Sequence, residues 1–410
     1  MASSPAPKIS GSLLLIFVIA FMNTAGATIV MPVLPFITQR YVTDPAAVAL
    51  WVGVLASSYS LCALLAAPAL GALSDRLGRK PVLVVSLLGS ALGFLIFGLG
   101  GALWVLLLAR VIDGLTGGNI STIFAYLADV TAPDERAKRF GMVGAIMGAG
   151  FMFGPALGGL LAVWGLAMPV FFAAGITLMT ALLSWFVLPE SLDHEHRSVH
   201  FSLADVHPFR SIGDALKRPA LRPLLLGVLL LSIPMAGFQT NVSVFAKDAI
   251  GWGPAQVGVF LFGVGVLDII VQGGLLGVLL PRIGERGVVI VGFVGQGLGY
   301  LVLAVVGMFL PLQWLFILGA LTFAAAEGGT GPALSGLISK AVSHKEQGWA
   351  MGGLQSMNSG ARVIGPLLAG VLYASVGHAA PYAFGVVVIV VLLWLARPYL
   401  RADAVPTAGE

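Results

Sequence analysis

Five charged residues stand inside long apolar stretches of the sequence. They are Arg110, Asp113, Asp268, Glu327 and Arg362. Ionisable residues inside a membrane are rare, and they usually mark substrate, ion or proton pathways. Burial disfavours the charged form of a carboxyl group, so a carboxyl group in this setting can exchange a proton near neutral pH. The sequence therefore predicts proton transfer as the main chemistry of the chain.

Arg110 and Asp113 are three positions apart, so the two side chains leave the same face of a helix. Asp113 is then either a permanent ion-pair partner of Arg110 or a proton site that Arg110 keeps ionised until a proton or a substrate competes. We interpret Arg362, which also lies inside a predicted helix, as a structural residue.

Asp268 and Glu327 each fall near the centre of a predicted helix and have no basic residue nearby in the sequence. We interpret both as carriers of a transported proton. The alternative is a neutral carboxyl group that is hydrogen-bonded to the backbone, to Gln272 or to Thr330.

The elements that position these residues are predicted to be membrane helices. Of the 410 residues, 58% are hydrophobic and 10% are charged, whereas soluble domains carry about 25% charged residues. A spanning helix needs about 20 apolar residues. Such runs occur at 11–37, 47–70, 82–101, 103–129, 140–163, 167–188, 223–246, 255–280, 287–307, 311–339, 347–373 and 380–397. The first run continues to Phe36, so we interpret it as a spanning helix and not as a cleaved signal peptide.

The only long polar stretch, 189–222, is predicted to link an N-terminal six-helix bundle (1–188) to a C-terminal one (223–410). With twelve helices, 18 of the 22 Lys and Arg residues fall on the side that holds both termini, two fall on the opposite side and two lie inside helices. The positive-inside rule then predicts that both termini and the linker are cytoplasmic.

The two halves carry three pairs of similar short sequences. Trp51–Leu55 resembles Gln256–Phe260, Asp75–Arg79 resembles Pro281–Arg286, and Gly154-Pro155 resembles Gly365-Pro366. Parallel repeats of this kind imply two bundles related by an axis along the membrane normal, with a central site near the midplane.

The segment Gly71–Pro81, between the second and third predicted helices, resembles the loop motif of the major facilitator superfamily. Its motif residues here are Gly71, Asp75, Arg76, Gly78 and Arg79. We expect Asp75 near the N-terminus of the third helix, where a negative charge is favoured. The resemblance implies that Asp75, Arg79 and Asp129 form a charge cluster that locks the outward-facing state.

Two glycine-rich segments resemble further motifs of this superfamily. Arg110 is followed by Gly114, Gly117 and Gly118, as in the motif of the fourth helix. The fifth helix resembles the motif of the antiporter branch, through Gly150, Gly154, Pro155, Gly158 and Gly159. Small residues on one stripe let two helices approach closely, so ordinary packing is the alternative reading of these glycines.

Over nearly its whole length the chain resembles the bacterial tetracycline–proton antiporters and related drug–proton antiporters. Residues 23–35, 103–129 and 363–368 carry the resemblance. It implies an all-α membrane protein of twelve helices in two six-helix bundles. It also implies a proton-coupled antiporter that exports a hydrophobic or amphiphilic small molecule by alternating access.

The chain departs from these antiporters at several acidic positions. Where they carry acidic residues in helices 1, 3 and 9, this sequence has Asn23, Gly93 and either Gly295 or Gln296. A histidine of their eighth helix is replaced by Asp268. These differences leave the transported molecule open.

The resemblance also implies a cavity lined mainly by helices 1, 4, 7 and 10. Its predicted lining residues are Asn23, Phe17, Phe21, Phe238, Gln239 and Asn241. An apolar cavity with few polar groups suits an amphiphilic ligand. A proton symporter or a uniporter that imports a small metabolite is the alternative function on the same fold.

No motif in the sequence predicts an enzyme, a cofactor, a metal site or nucleic-acid binding. The linker histidines His194, His196 and His200 are interpreted as a solvated face. We expect a monomer in the bacterial cytoplasmic (inner) membrane, with lipid, protons and a small-molecule substrate as its partners.

Overall fold

The structure is a computed structural model of the chain that describes residues 9–193, 197, 222–340, 342–343 and 346–400. The regular structure within these residues is helical. The linker histidines predicted to be solvated lie outside the described residues.

Twelve long helical segments follow the twelve predicted spans, and we number them α1–α12. In the first half they are α1 (Ile9–Ile29), α2 (Pro45–Leu77), α3 (Arg79–Leu99), α4 (Leu103–Gly117 and Ile120–Val130), α5 (Arg136–Leu161) and α6 (Met168–Val187). In the second half they are α7 (Arg222–Ile250), α8 (Pro254–Ile270, continued through Val271–Leu275 and the part of Leu276–Met308 before Gly284), α9 (the part of Leu276–Met308 after Gly284), α10 (Gln313–Lys340), α11 (Gln347–Ser375) and α12 (Ala380–Leu400). Short helices at Leu34–Thr38 and Ala162–Trp164 extend α1 and α5.

Seven helices of the described residues are long and apolar enough to cross a membrane. One of them, the 55-residue Pro254–Met308, contains both α8 and α9. The two are joined by the polar connection 281–286, where Gly284 leaves the helical conformation at φ 66° and ψ 173°. Shorter apolar helices at Leu13–Ile29 and Ala380–Leu395, together with α10 and α11, complete the twelve predicted spans.

The chain divides into two compact units. Unit 1 comprises Met1–Ile37, Ser58–Pro208 and Pro254–Phe262, and unit 2 comprises Thr38–Ser57, Phe209–Gly253 and Gly263–Glu410. The first part of α2 therefore belongs to unit 2, and the first part of α8 belongs to unit 1.

The helices pack in the same pattern inside each unit. In unit 1, α1 packs on α5, and α3 packs on both α4 and α6. In unit 2, α7 packs on α11, and α9 packs on both α10 and α12. Each contact of unit 1 therefore recurs six helices later, which agrees with the repeats in the sequence.

Each unit has a buried apolar cluster near one end of its helices. In unit 1, Ile16 and Ile19 of α1 meet Leu83 of α3, Tyr126 of α4 and Ala181 of α6. In unit 2, a smaller cluster joins α7, α10 and α11 through Leu225, Val228, Ile338, Ala350 and Met357. The unit 1 cluster includes α4, which carries Arg110 and Asp113, and the unit 2 cluster includes α10 and α11, which carry Glu327 and Arg362.

Candidate proton and gating sites

Unit 1 holds the Arg110–Asp113 pair in its interior. Arg110 is 5% exposed and Asp113 is 2% exposed. Nη2 of Arg110 and Oδ2 of Asp113 are 3.5 Å apart, which is too far for a strong hydrogen bond. Both of these atoms lack a hydrogen-bond partner among the described residues. Electrostatic attraction therefore holds the pair together, and Nη2 of Arg110 and Oδ2 of Asp113 remain available for hydrogen bonds.

Aromatic rings surround the Arg110 guanidinium. Its central carbon lies 4.7 Å from the ring centroid of Phe97, 5.7 Å from that of Tyr59 and 5.8 Å from that of Phe94. A cation over an aromatic face is attracted by the ring quadrupole, more strongly when it is desolvated. The rings therefore stabilise a buried charge that Asp113 alone does not fully satisfy.

A small cavity of about 10 Å³ lies beside Asp113. Asn23, Tyr59 and Ser90 also line it. This volume holds about one water molecule, and a buried water needs two to four polar partners. The lining supplies such partners, so the cavity suits a single water in contact with the Asp113 carboxylate.

The break in α4 lies one turn beyond Asp113. Gly118 and Asn119 separate its two parts, and Asn119 is 1% exposed. Nδ2 of Asn23 on α1 donates to Oδ1 of Asn119 at 2.5 Å. Non-helical backbone at membrane depth is tolerated where protein or a cavity surrounds it, and this hydrogen bond ties the break to α1.

A cluster of charged and polar side chains surrounds Arg79. Its guanidinium pairs with Asp75, its Nε donates to Oδ2 of Asp129 at 3.1 Å, and its Nη1 donates to Oγ of Ser74 at 2.7 Å. The structure thus brings together the three charges expected from the sequence. It places Asp75 in the last turn of α2, so the expectation of Asp75 at the start of α3 is wrong.

Glu190, directly after α6, occupies the position expected for Asp75. Its carboxylate accepts from the backbone N–H groups of Arg79 at 2.8 Å and Lys80 at 3.3 Å. It also accepts from the backbone N–H groups of Ser191 at 3.0 Å and Leu192 at 3.2 Å. The first N–H groups of a helix need such acceptors. Sequence reasoning missed Glu190, although an acidic residue that directly follows an apolar helix could have indicated it.

The remaining motif residues shape this turn. The carbonyl of Gly71 accepts from the Ser74 hydroxyl at 2.8 Å. Gly78 has φ 110°, a conformation that favours glycine, and a side chain there would overlap the Glu190 carboxylate. Arg76 is exposed.

The glycines of the antiporter motif bring α5 against the backbone of α1. A Cβ at Gly150 would lie 2.8 Å from the carbonyl oxygen of Phe21, and one at Gly154 would lie 2.7 Å from that of Ala25. Gly154, Pro155 and Gly158 are buried, and a side chain at Gly158 would overlap the backbone of α1. Each of these glycines therefore permits an approach that alanine would block.

Gly159 faces the other way, toward the first part of α8. An added Cβ would lie 2.8 Å from the Cα of Gly258, within unit 1. The repeat makes the matching contact in unit 2, where an added side chain at Gly53 of α2 would overlap the carbonyl of Pro366 on α11. The Gly-Pro segments of both halves are therefore helix-packing sites.

Unit 2 groups Asp268 of α8, Glu327 of α10 and Arg362 of α11. Glu327 interacts electrostatically with both Asp268 and Arg362. Oδ1 of Asp268 accepts from Nε2 of Gln272 at 2.8 Å. Asp268 and Glu327 are half-buried, and Arg362 is exposed near the middle of the 29-residue helix α11. These residues, distant in sequence, thus form one group of mid-span charges.

The residues predicted to line the cavity occupy different environments within their units. Phe17 is half-buried against the unit 1 cluster, and Phe21 is half-buried on α1. Phe238 is 7% exposed and its ring centroid is 4.4 Å from that of Phe323. Phe238 is therefore part of the packed interior of unit 2.

The two polar residues predicted on α7 also differ. Gln239 is half-buried. Asn241 is 3% exposed, and neither amide atom has a hydrogen-bond partner among the described residues. Leaving a buried amide without a hydrogen bond costs free energy. The Asn241 amide therefore has hydrogen-bonding capacity inside unit 2 that no described residue uses.

Comparison with known proteins agrees with this architecture. The Major Facilitator Superfamily profile matches residues 16–324 and 275–410. A tetracycline resistance protein, class C, from Escherichia coli is 32% identical over 90% of this chain and 91% of its own length. Multidrug resistance protein 2 of Bacillus subtilis is 28% identical over 92% of each chain.

Solved structures show the same fold. The crystal structure of a bacterial homolog of the human lysosomal transporter Spinster matches with a TM-score of 0.77, and 97% of each chain is covered at 17% identity. At that identity the likeness concerns the fold alone. The relatives of higher identity confirm the resemblance to bacterial tetracycline and multidrug resistance proteins. The chain belongs to the major facilitator superfamily.

Proposed function

We propose that this chain is a proton-coupled antiporter that exports a hydrophobic or amphiphilic small molecule by alternating access. Relatives named for tetracycline and multidrug resistance support export of a drug-like molecule. The 18-to-2 distribution of Lys and Arg supports cytoplasmic termini and a cytoplasmic linker in a bacterial inner membrane.

The observation that carries the mechanism is the mid-span group of unit 2. Arg362 is exposed at a depth where a charge facing lipid is too costly, so it must face a water-filled path or a polar partner. Glu327 lies within electrostatic reach of Arg362 and of Asp268. A cation near two carboxyl groups can exchange with a proton as their partner.

Asp268 and Glu327 therefore carry the transported proton. The pair loads a proton when it is open to the outside and releases it when it is open to the cytoplasm. Its proton affinity must differ between the two states, because a ligand with equal affinity for both states shifts nothing. The membrane potential contributes about 2.3 kcal/mol per charge per 100 mV to the cycle.

Arg110 and Asp113 have a supporting role in this mechanism. Arg110 is paired with Asp113 inside unit 1, and the single-water cavity gives the carboxylate a further polar neighbour. Asn23, Phe17 and Phe21 are the substrate contacts that we propose in unit 1.

Gln239 and Asn241 are the polar substrate contacts proposed in unit 2, and Phe238 supports them from the interior. The unused hydrogen-bonding capacity of Asn241 supports this assignment.

The lock around Arg79 controls the cycle at the inner ends of the helices. Its partners Asp75, Asp129 and Ser74 lie on α2 and α4, so the Arg79 side chain joins three helices of unit 1. Disengaging it would free these helix ends, which fits a gate on the cytoplasmic side.

Vesicles with an imposed pH gradient test this function. A panel of amphiphilic drugs that includes tetracycline is screened first in a drug-sensitive host, and an exported drug is then used with purified protein. The wild type should move the drug against the proton flow. Asp268→Asn and Glu327→Gln should abolish gradient-driven transport while drug binding persists.

Two results would overturn the proposal. Drug movement in the same direction as the protons would identify a symporter. Full pH-driven accumulation in both single variants and in the double variant would exclude both carboxyl groups as carriers, and Asp113 would become the candidate.

A further inference from the structure

A π-turn interrupts α8 shortly after Asp268. It spans Val271–Leu275, and the N–H of Leu276 donates to the carbonyl of Val271, five residues earlier. Single π-turns inside α-helices are frequent at functional sites. Gly273 and Gly274 in this turn have open space around them, so helix packing does not explain the two glycines.

The turn presents Gln272 to the Asp268 carboxylate. Nε2 of Gln272 donates to Oδ1 of Asp268 at 2.8 Å. The same oxygen faces Gly328 of α10, where an added Cβ would lie 2.6 Å from it. Oδ1 is therefore confined between an amide donor of its own helix and the bare backbone of the neighbouring helix.

We propose that Gln272 and Gly328 form a socket that positions the Asp268 carboxylate beside Glu327. Gly328 directly follows Glu327 in the chain, so a carboxylate seated at Gly328 is next to the Glu327 backbone. The inference rests on the proposed proton-carrying role of Asp268. It assigns Gln272 and Gly328 as positioning residues, which set when Asp268 takes up its proton.

The chemistry of the socket follows from the donor. An amide N–H is a better partner for a carboxylate than for the neutral acid, so the Gln272 contact distinguishes the two forms of the Asp268 side chain. The affinity difference that coupling requires can therefore come from making and breaking one hydrogen bond.

Two variants test the socket, one at each of its two residues. Gln272→Leu removes the donor and keeps a side chain of similar size. Gly328→Ala places a methyl group against Oδ1 and should displace the carboxylate from Gln272. Gly329→Ala is the matched control, because its Cβ would lie at an ordinary 3.6 Å from Val288. Gly331→Ala is a second control, with nothing within 4 Å.

The measurement is infrared difference spectroscopy of the purified protein between acidic and neutral pH. The readout is the carboxyl C=O stretching band that Asp268→Asn removes. In Gln272→Leu and Gly328→Ala the pH midpoint of this band should differ from that of the wild type, because the first variant removes the donor and the second displaces the carboxylate from it. The pH profile of drug transport should move with it, and both controls should match the wild type.

The outcomes separate the two proposals. If Asp268→Asn abolishes proton-driven transport but both socket variants keep the wild-type midpoint, the socket is wrong and the carrier assignment stands. If Asp268→Asn transports normally, the carrier assignment itself is wrong. If Gln272→Leu does not fold, the comparison of Gly328→Ala with its control Gly329→Ala decides by itself whether the socket positions Asp268.

Discussion

The mid-span charges of unit 1 are buried, whereas those of unit 2 are half-buried or exposed. Arg110 and Asp113 are 5% and 2% exposed and lie among aromatic rings. Asp268 and Glu327 are half-buried, and Arg362 is exposed. A buried pair can hardly change its partners without a large energetic penalty, while partly exposed groups can reach water or another partner. The comparison suggests that one repeat supplies a fixed charge pair and the other supplies the exchanging groups.

The largest expected effect comes from breaking the unit 1 pair. Arg110→Gln leaves the Asp113 carboxylate buried without a counter-charge, and breaking such a pair costs about 3–5 kcal/mol. We expect a marked drop in the unfolding temperature in detergent. Arg362→Gln is the matched control and should change stability by less than about 0.5 kcal/mol while it impairs transport. Equal losses of stability in both variants would contradict the comparison.

The second-largest effect is expected at the glycines of the antiporter motif. Gly154→Ala would press a methyl group into the α1 backbone, and overpacking of this kind costs about 1–3 kcal/mol. Gly365→Ala, at the equivalent α11–α7 contact, should behave in the same way. Gly148→Ala on the same helix as Gly154 meets nothing within 4 Å and should be neutral or stabilising. A similar effect at positions 148 and 154 would show that the glycine stripe does not set the packing.

A smaller effect is expected at Glu190. Glu190→Gln keeps the size of the side chain but turns an N–H group toward the backbone donors of α3. Because Glu190 is exposed, we expect a loss of about 1 kcal/mol and slower transport, measured on the same purified protein. Asp193→Asn, three residues later and also exposed, is the control. Wild-type turnover in Glu190→Gln would show that the contact of Glu190 with the start of α3 does not affect transport.

The smallest effect concerns the unit 2 counterpart of the lock. In the polar connection 281–286, a hydrogen bond from Lys340 lowers the pKa of Glu285 below its ordinary 4.5. The pair therefore stabilises the protein above about pH 4.5 and loses this contribution as the pH falls further. Lys340→Gln should have almost no effect at neutral pH, since exposed pairs contribute about 0–1 kcal/mol. A loss as large as that of Glu190→Gln, measured by thermal unfolding across this pH range, would show that the two halves have equivalent locks.

Several features followed from the sequence because they are local. The twelve spans follow from apolar runs, and the Arg79–Asp75 contact lies within five consecutive residues. The Arg110–Asp113 pair follows from helical spacing. Gly154 was found through its motif, and its packing role is a direct consequence of lacking a side chain.

Other features depend on packing and could not be predicted. Glu190 is 111 residues from Arg79 in sequence, and only the packing of α6 on α3 brings them together. The grouping of Asp268, Glu327 and Arg362 depends on three helices. Phe238 was predicted as cavity wall but is packed in the interior of unit 2. In a membrane protein the interior and the lipid-facing surface are both apolar, so the residue type does not distinguish them.

Substrate-induced proton release tests the central claim most directly. An exported drug is added to purified protein in weakly buffered detergent solution, and a pH indicator reports the protons released per protein. The wild type and Asp113→Asn should both release protons. Asp268→Asn, Glu327→Gln or the double variant should lose this release while still binding the drug. Full release from the double variant, together with loss of release in Asp113→Asn, would place the exchanging carboxyl group in unit 1 and contradict the account.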